Sequence, residues 1–522
     1  MRTRFTTRAL LPAAVLSVAL AAAGCAGSTP SSTADKIRVG VVGLDFSNID
    51  PGVGFARQVD AFMLETLMKL SPTGEVEPNL AESVEQTDDV TYVYHLRDDV
   101  KFSSGRALTA EDVVASINYE RKPEFSESFR YSDIADVKAR DDQTVVVTLK
   151  APTASFQYVF ALNGYIFDAQ HQSKNAKDFG KPGTGVIGTG PYVLDELDST
   201  NGKATFTANP DYWGGQPKIA TATLQGFADE NSEALAFRTG ELDVVFPSDV
   251  RSFEATAGTK VTSVPGTRQG IFWMNVGVAP WNDVHVRRAV AYAINKDDII
   301  NVIGGNAVAD STLIPPAQLL SIASQQEVDA LIGSLPTYNF DLDKAKGELS
   351  QSAYPQGFSA ELKTPSYGGY VETAQAIAGQ LKKLGIDITV TVQSEAQYEN
   401  TFSKPHSEVP ISYTYFNNRT PDPGGMPRLA LHSSATAVGQ NNFADYVNPK
   451  VDDLIHKADA TTDAAKRFGY YSELLKIVGE DVPYVPLYAG NINVALSGAF
   501  EWKDFSAFSS DVTPYILQIS PK

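Results

Sequence analysis

The stretch AELKTPSYGGYVETAQAIAGQLKKLGIDITVTV (residues 360–392) places a helical pattern between two short strand patterns. The helical part carries apolar residues at a spacing of three and four, namely Val371, Ala374, Ile377, Ala378, Leu381 and Leu384. Gly385 follows as a C-terminal cap, and a second strand then alternates through Ile386, Ile388, Val390 and Val392. With Ala360 and Leu362 in the first strand, the stretch predicts a β-α-β unit. Such a unit requires parallel strands and therefore indicates an α/β fold class.

Patterns elsewhere in the chain also predict strands and helices. Residues 91–96 and 143–149 are typical of strands, and Thr109 with its following acids is typical of a helix start that continues to about Arg121. A helix is expected to contain Phe62, Leu64, Leu67 and Leu70. In a helix over residues 286–294, the apolar side chains share one face, which leaves Arg287 and Arg288 on the other.

The first 24 residues have the layout of a secretory signal. Arg2, Arg4 and Arg8 precede an apolar run from Ala9 to Ala23, which is too short and too early for a permanent membrane span. Cys25 is the only cysteine, and the small residues before it resemble a bacterial lipobox. We therefore expect residues 1–24 to be a lipoprotein signal peptide, with lipidation at Cys25 and residues 25–35 as a flexible tether.

The alternative is an ordinary cleaved signal with an incidental cysteine. In the lipid-anchored case, the protein is exported and held at the outer face of the cell membrane, in a periplasm or at the cell surface. No second cysteine is present to form an internal disulfide, so the folded part must be stabilised by its core. The formal net charge of −19 opposes nucleic-acid binding and favours solubility.

Motifs of enzymes and metal sites are weak or missing in the sequence. Residues 183–188 fit G-x-G-x-x-G, but Pro191 prevents a helix from starting properly there, so a dinucleotide would lack its helix N-terminus. No G-x-S-x-G or H-E-x-x-H motif is present, and the six histidines do not have metal-ligand spacing. We predict no catalytic residue, no metal and no cofactor.

An ordered set of blocks resembles one family, the large solute-binding proteins of peptide, nickel and opine ABC importers, often called family 5. The blocks that carry the resemblance are Leu80–Ser83, Tyr94–Phe102, Leu108–Ser116, Gly188–Tyr192, Asn209–Trp213, Gly240–Asp243, Asn282–Val290, Tyr292–Asn295 and Val482–Leu487. Each block alone is weak, whereas their combination and order are specific. The resemblance covers nearly all of the chain after the signal.

The resemblance implies a type II periplasmic-binding-protein-like fold, with two main lobes of mixed sheets joined by a hinge and an extra inserted subdomain. On this chain, the first lobe is expected at 36–57, 188–267 and 489–522, the inserted second lobe at 58–187 and the third lobe at 268–488. The implied function is capture of a solute in a closing cleft and its delivery to a membrane permease. The implied partners are the permease subunits and, through them, the ATPases, and the protein is expected to be a monomer and not an enzyme.

The loop Thr414–Gly425 is expected to line the cleft, because aromatic residues run into amides, a guanidinium, a carboxylate and a Pro/Gly turn. In the family's peptide binders, an aspartate four residues before the proline of an acid-Pro pair holds the peptide ammonium group. With Asp422-Pro423 as that pair, the position is Arg419, and the arginine that dipeptide binders use for the peptide carboxylate is replaced by Thr364. Arg419 therefore predicts that the ligand is not held by its free amine.

Two readings of Arg419 remain open: binding of a carboxylate or phosphate of the ligand, or pairing with Asp422. The solute is expected to be a peptide or peptide-like molecule, with an opine-like acid, an oligosaccharide or a metal chelate as the alternative. A secreted hydrolase is the third hypothesis, which no motif supports. The candidate ligand-binding residues are Phe46, Ser47, Phe272, Tyr367, Tyr415, Phe416, Asn417, Asn418, Arg419 and Asp422.

Overall fold

The computed structural model describes residues 35–44, 46–53, 57–125, 128–366, 369–394, 397–398, 400, 404–417, 420–509 and 514–522. In chain order, the strands are β1 (Lys36–Val42), β2 (Met68–Leu70), β3 (Val76–Pro78), β4 (Ala81–Asp88), β5 (Thr91–Leu96), β6 (Ile134–Asp141), β7 (Thr144–Leu149), β8 (Tyr192–Asp198), β9 (Lys203–Ala208), β10 (Thr221–Phe227), β11 (Val244–Val245), β12 (Lys260–Met274), β13 (Ala307–Ala309), β14 (Phe358–Pro365), β15 (Ile386–Gln393), β16 (Ile411–Asn417), β17 (Tyr484–Leu496), β18 (Phe500–Trp502) and β19 (Ile519–Pro521).

The α-helices lie between these strands and mostly begin at a polar cap. In chain order, they are α1 (Arg57–Met63), α2 (Ala110–Glu120), α3 (Val159–Leu162), α4 (Ala169–Lys174), α5 (Glu230–Arg238), α6 (Arg251–Glu254), α7 (Val284–Ala293), α8 (Lys296–Val302), α9 (Pro316–Leu319), α10 (Gln325–Ser334), α11 (Leu342–Gln351), α12 (Tyr370–Leu381), α13 (Gly425–Ala430), α14 (Pro449–Asp459) and α15 (Ala464–Asp481). Short 3-10 helices lie at Pro51–Val53, Ser128–Tyr131, Ala154–Tyr158, Lys382–Leu384, His406–Glu408, Ser433–Thr436 and Tyr515–Gln518.

The largest sheet runs in the order β16-β12-β17-β11-β1-β10-β9-β8, and β13 adds to β17. Within it, β1 is parallel to β10 and β11, whereas β12 and β17 pair antiparallel along almost their whole length. The register of that pair shifts between Pro265 and Gln269. These two long strands therefore connect the β11-β1-β10-β9-β8 half of the sheet to β13 and β16.

The β-α-β unit predicted at residues 360–392 is confirmed. Strands β14 and β15 pair in parallel register from Phe358 with Ile386 to Pro365 with Gln393, and α12 lies between them in the chain. Gly385 adopts φ +80° after the helical turn, as its role as a cap predicts. The predicted strands β5 and β7 are also confirmed as antiparallel neighbours, and α2 begins with a capping box between Thr109 and Asp112.

Four large groups of buried apolar side chains form the core. The first surrounds β1 and β10 and includes side chains of α1 and of residues 165–186, whereas the second lies between the β4-β5-β7-β6 sheet and α2. The third surrounds α7, α12 and the parallel β14-β15 pair. The fourth packs α14 and α15 against β12.

Two predictions of local structure are wrong. The helix expected to contain Phe62, Leu64, Leu67 and Leu70 ends at Met63, because its first two apolar residues enter the first core and the last two enter the second. Arg287 of α7 is buried, although its face was predicted to be separate from the apolar one. Its guanidinium donates hydrogen bonds of 2.8 Å to the carbonyl oxygens of Trp281 and Asp481, which provide the partners that a buried cation requires.

Candidate ligand-binding cleft

A cavity of about 430 Å³ lies where β12 and β17 cross the end of β1. We call it the cleft cavity, and it is lined by Gly40, Val41, Val42, Gln58, Glu230, Glu233, Phe246, Pro247, Ser248, Thr267, Arg268, Asn491, Ile492, Asn493 and Tyr515. Its size is that of a small-molecule site, and polar side chains are interleaved with apolar ones on its wall. Strands β1, β12 and β17 of the largest sheet all contribute residues to this wall.

Helix α5 supplies the acidic part of the wall. Asp229 caps the helix by accepting a hydrogen bond from the backbone N–H of Ser232 at 2.9 Å, which turns Glu230 and Glu233 of the first turn towards β1. The carboxylate of Glu233 packs over Gly40, where the Cβ of any larger residue would lie 3.0 Å from Oε1 of Glu233 and 2.7 Å from Leu242. Gly40 therefore leaves the room that this acid needs.

Glu233 is only 2% exposed, and no described residue donates a hydrogen bond to its Oε2. Burial raises the pKa of Glu233 to about 7, and the charge of Glu230 raises it further in the same direction. A buried carboxylate without donors is unusual, since buried charges are ordinarily paired. The side chain is therefore available to a group that enters the cavity.

Two amides of β17 form the neighbouring part of the wall. Nδ2 of Asn493 donates to the carbonyl oxygen of Pro247 at 2.8 Å, and Nδ2 of Asn491 donates to Oδ1 of Asn306 at 3.2 Å. Asn306 donates in turn to the carbonyl oxygen of Ser248 at 3.0 Å. These bonds fix the amide groups, while the buried Oδ1 atoms of Asn491 and Asn493 receive no hydrogen bond from the described residues. The amides thus offer two more acceptors.

Arg268 supplies the cationic part of the wall. It is an exposed residue of β12 next to the register shift, and its guanidinium lies 3.8 Å from the ring centroid of Tyr415. Tyr415 is held in turn by the hydroxyl of Tyr488, which donates to the hydroxyl of Tyr415 at 2.7 Å. No described residue forms a salt bridge with Arg268. A guanidinium that is oriented on a ring, with its N–H groups left for an acceptor, suits a carboxylate.

Among the sequence-predicted residues whose side chains the structure describes, Tyr415 alone reaches this wall, through its contact with Arg268. Three predicted aromatic residues are core residues and do not line the cavity. Phe46 is 2% exposed in the first core, Phe272 is fully buried in the third, and Phe416 packs near Phe443 and Tyr484 in the fourth. Ser47 is exposed and also lies away from the lining residues.

Asp422 is buried and ion-paired within the described fold. Its carboxylate is 1% exposed and forms an ion pair of 2.8 Å with Arg467, and its Oδ1 accepts a hydrogen bond from the backbone N–H of Gly424. Its partner is thus on α15, a pairing that sequence analysis did not consider. Tyr367, Asn418 and Arg419 lie outside the described residues, as do Cys25 and the side chain of Asn417, so the predictions for them stay predictions.

Sequence reasoning missed Glu233, Arg268, Asn491 and Asn493. The first looked like an ordinary acid in a helical first turn, and the other three stand in strand-like runs without a motif. Only the alternation Asn491-Ile492-Asn493, with amides on one face of a strand otherwise rich in apolar residues, was a usable signal. The described residues contain no group of three or more potential metal ligands, and the one close histidine pair, His432 and His456, lies outside the cavity.

None of the helices in the described ranges has the length and apolar character needed to cross a membrane. Residues 75–437 match the bacterial extracellular solute-binding proteins, family 5 Middle. The glutathione-binding protein GsiB of Escherichia coli K12 is 29% identical over 477 residues, which cover 87% of this chain and 89% of GsiB.

Solved structures show the same architecture. The periplasmic binding protein DppA from Helicobacter pylori, in complex with the peptide STSA, is 24% identical with a TM-score of 0.76, over 93% of this chain and 98% of DppA. The binding protein MoaA from A. tumefaciens R10, in complex with mannopinic acid, is 24% identical with a TM-score of 0.75, over 93% of this chain and 99% of MoaA.

The fold is thus that of the type II periplasmic binding proteins, as predicted. The chain belongs to the bacterial extracellular solute-binding proteins of family 5.

Proposed function

We propose that the protein is the solute-binding component of an ABC importer and that it captures a peptide or peptide-like solute in the cleft cavity. The observation that carries the proposal is the wall of that cavity, where three acceptor side chains and the hydroxyl of Tyr515 have no hydrogen-bond partner among the described residues and the guanidinium of Arg268 has no ion-pair partner among them. A peptide supplies N–H donors for the first and a carboxylate for the second. The family and the names of its relatives, which include a glutathione-binding protein, support this choice.

The proposed mechanism is closure of lobes about β12 and β17. Two contacts of the described structure join segments that belong to different cores: Arg428 of α13 donates to Asp133 at 3.1 Å, and Pro421 lies beside Gly74. We place the first lobe around the first core and the inserted lobe around the second, with the third and fourth cores forming the remaining lobe. Because the first core includes side chains of α1 together with Tyr165, Phe167, Phe179 and Val186, we propose an inserted lobe shorter than the 58–187 predicted from sequence.

The solute is the open part of the proposal. An opine-like acid also carries carboxylate and amine groups, and the mannopinic acid complex of MoaA favours it as the second candidate. A neutral oligosaccharide would leave the buried Glu233 and the guanidinium of Arg268 without charged partners. The charged wall therefore favours a solute with both signs of charge over a neutral one.

We further propose export and anchoring through a lipid on Cys25, with permease subunits and their ATPases as partners and a monomer as the working form. Arg2, Arg4, Arg8 and the apolar run before Cys25 support this proposal. Cell fractionation tests it. The wild-type protein is expected in the membrane fraction, and Cys25→Ala is expected to release it in soluble form or block its processing. Equal membrane retention of both proteins would contradict a lipid anchor.

Solute binding is tested with protein that lacks residues 1–33, because residues 34–522 form one compact unit. Thermal-shift and calorimetric titrations would compare glutathione, free dipeptides and tripeptides, opines, oligosaccharides and nickel chelates. Peptides or glutathione are expected to stabilise the protein without being consumed. Binding restricted to sugars or chelates would overturn the peptide proposal, and turnover of a bound compound would support the hydrolase instead.

A further inference from the structure

The cleft cavity has an unequal distribution of unpaired polar groups. On one side lie three unpaired acceptors, Oε2 of Glu233 and the Oδ1 atoms of Asn491 and Asn493. Beside them is Glu230, whose Oε1 accepts a hydrogen bond from the backbone N–H of Ser248 at 3.2 Å. The hydroxyl of Tyr515 also lines the cavity and has no hydrogen-bond partner among the described residues. On the other side lies a guanidinium, that of Arg268, with donors only. No described residue joins the two sides by an ion pair. The wall is therefore complementary to a molecule with a cationic donor group at one end and an anionic acceptor at the other.

We propose that the solute is a zwitterion whose ammonium group binds at Glu233 and whose carboxylate binds at Arg268. This inference rests on the proposed function and names the groups through which the cleft recognises its solute. The ammonium group is thus held by α5 of the first lobe. It is not held by the loop 414–425, where the family's peptide binders place their aspartate.

An ammonium group fits the acidic side better than a neutral donor does. Glu233 is 2% exposed, and its carboxylate has no hydrogen-bond donor among the described residues. A charge that is buried without a partner is unfavourable, and an ammonium group supplies both the opposite charge and several N–H donors. The amide oxygens of Asn491 and Asn493 can accept the N–H groups that Glu233 does not.

A carboxylate fits the basic side for geometric reasons. The guanidinium carbon of Arg268 lies 3.8 Å from the ring centroid of Tyr415. This contact restrains the guanidinium, whose fork of N–H groups matches the two oxygens of a carboxylate. The hydroxyl of Tyr488 donates to Tyr415 and restrains that ring. This arrangement suits a planar anion, which a neutral hydroxyl would not match.

The prediction drawn from Arg419 concerns only an ammonium group next to the loop 414–425. A cation at that position argues against an ammonium group beside the loop 414–425, yet it does not exclude one on the opposite wall of the cleft. The acid that was missing from the loop is, on this proposal, supplied by a different lobe. A solute with a free amine is therefore expected to bind.

Matched peptide libraries test the proposal on the protein that lacks residues 1–33. One library of dipeptides and tripeptides has both ends free, a second is N-acetylated and a third is C-amidated, all with the same composition. Native mass spectrometry would identify retained peptides, and calorimetry would give their dissociation constants. Wild-type protein is expected to retain peptides with two free ends and to bind either blocked form roughly tenfold to hundredfold more weakly.

Two variants test which residue binds the amino end of the peptide and which binds the carboxyl end. Glu233→Gln should weaken binding of free peptides roughly tenfold to hundredfold and remove the preference over N-acetylated ones, while the preference over C-amidated ones remains. Arg268→Met should weaken binding of free peptides to a similar degree and remove the preference over C-amidated peptides, while the preference over N-acetylated ones remains. The matched controls are Arg238→Gln, at the last residue of α5, and Glu241→Gln, three residues beyond it. Both residues are exposed and do not line the cavity, so both variants should leave all affinities unchanged. If one variant fails to fold, as thermal unfolding would show, the other still decides the question.

The outcomes separate this inference from the proposed function. Peptides that bind equally with free and blocked ends would overturn the zwitterion inference and leave the peptide-binding function standing. Equal losses for free and N-acetylated peptides in Glu233→Gln would show that the acid is only structural and would also overturn it. If none of the libraries binds while a sugar or chelate does, both proposals fail.

Discussion

Two buried glutamates in this protein share the same burial and differ in their partners. Glu65 is fully buried and Glu233 is 2% exposed, and burial raises the pKa of each to about 7. Glu65 accepts hydrogen bonds of 2.9 Å from the hydroxyl groups of Thr189 and Tyr212 and from Nε1 of Trp213. The carboxylate of Glu233 receives none from the described residues. A buried acid whose acceptors are filled by the protein stabilises the fold, whereas one left open is available for a solute.

The largest expected effect on stability comes from removal of Glu65, the acid whose oxygens accept hydrogen bonds from the protein. Glu65→Ala leaves two buried donors and one partly buried donor without their acceptor, at a cost of about 1 to 3 kcal/mol for each buried group, so we expect the free energy of unfolding to fall by about 4 kcal/mol. Glu233→Ala removes no hydrogen bond, and the expected loss is below about 1 kcal/mol. Urea unfolding of both variants checks the difference. Equal losses would abolish the distinction between the two acids.

Asp422, which was predicted to bind the ligand, is a second buried acid with partners inside the protein. Asp422→Ala leaves the buried guanidinium of Arg467 without its 2.8 Å partner, so we expect a loss of about 3 kcal/mol in the free energy of unfolding. Asp453→Ala breaks an exposed pair with Lys457 and serves as the control, with an expected change below about 0.5 kcal/mol. Binding of a solute should be unaffected in Asp422→Ala once the protein is folded. A selective loss of affinity would restore Asp422 as a ligand contact.

The pH dependence of stability also distinguishes Glu65 from Glu233. The pKa of Glu65 is about 7 in the folded protein and 4.5 as its ordinary value, so the folded state binds the proton more tightly. Its contribution to stability is complete below pH 4.5 and is lost as the pH rises through 7. Between pH 5 and pH 7 the loss is about 2 kcal/mol. Glu65→Gln should reduce this dependence when unfolding is followed across that range, and an unchanged profile would show that Glu65 is ionised throughout.

Glu233 has a raised pKa of about 7 for the same reason, with Glu230 as the neighbouring acid. An ammonium group in the cleft cavity would favour its charged form, so a solute should remove the contribution of Glu233 to the pH dependence and leave that of Glu65. Unfolding profiles of Glu65→Gln with and without a bound peptide compare the two. A profile that the peptide does not change would argue against contact between Glu233 and the amine.

The elements that sequence predicted well are those whose signal is local. The β-α-β unit at residues 360–392 carries its helical period, its Gly385 cap and its alternating strand within one stretch, so no distant residue had to be known. The helix expected through Leu70 failed for the opposite reason. Its apolar residues belong to two different cores, and periodicity does not show which core an apolar residue enters.

The candidate site depends on pairings between distant segments, which explains why sequence reasoning found little of it. Glu233 lines the cavity only because Gly40 leaves room for it, and Arg268 is oriented only because β12 pairs with β16 and brings Tyr415 alongside. The aromatic residues Phe272 and Phe416 looked like ligand contacts in the sequence, yet strand alternation directs their side chains into the core. Residue type suggested a site, and topology decided which residues reach it.

The smallest expected effect concerns closure of the cleft, where the guanidinium of Arg428 pairs with acids from two distant segments of the chain. Arg428 donates to Asp459 at 2.7 Å and to Asp133 at 3.1 Å, and these acids lie near different cores. Because the pair with Asp133 is partly exposed, it should contribute only about 0.2 to 1 kcal/mol. Asp133→Asn should therefore weaken binding of any solute by about 1.4- to fivefold, by the same factor for free and N-acetylated peptides.

Calorimetric titration measures the effect of Asp133→Asn, with Asp136→Asn as the control on the neighbouring strand. Asp136 forms an ion pair with the exposed Lys138, and we expect no change in affinity. A variant that alters closure changes all solutes alike, whereas Glu233→Gln should change only those with a free amine. A preference for free over acetylated peptides that disappears in Asp133→Asn would place the amine at the contact between the second and fourth cores and away from α5.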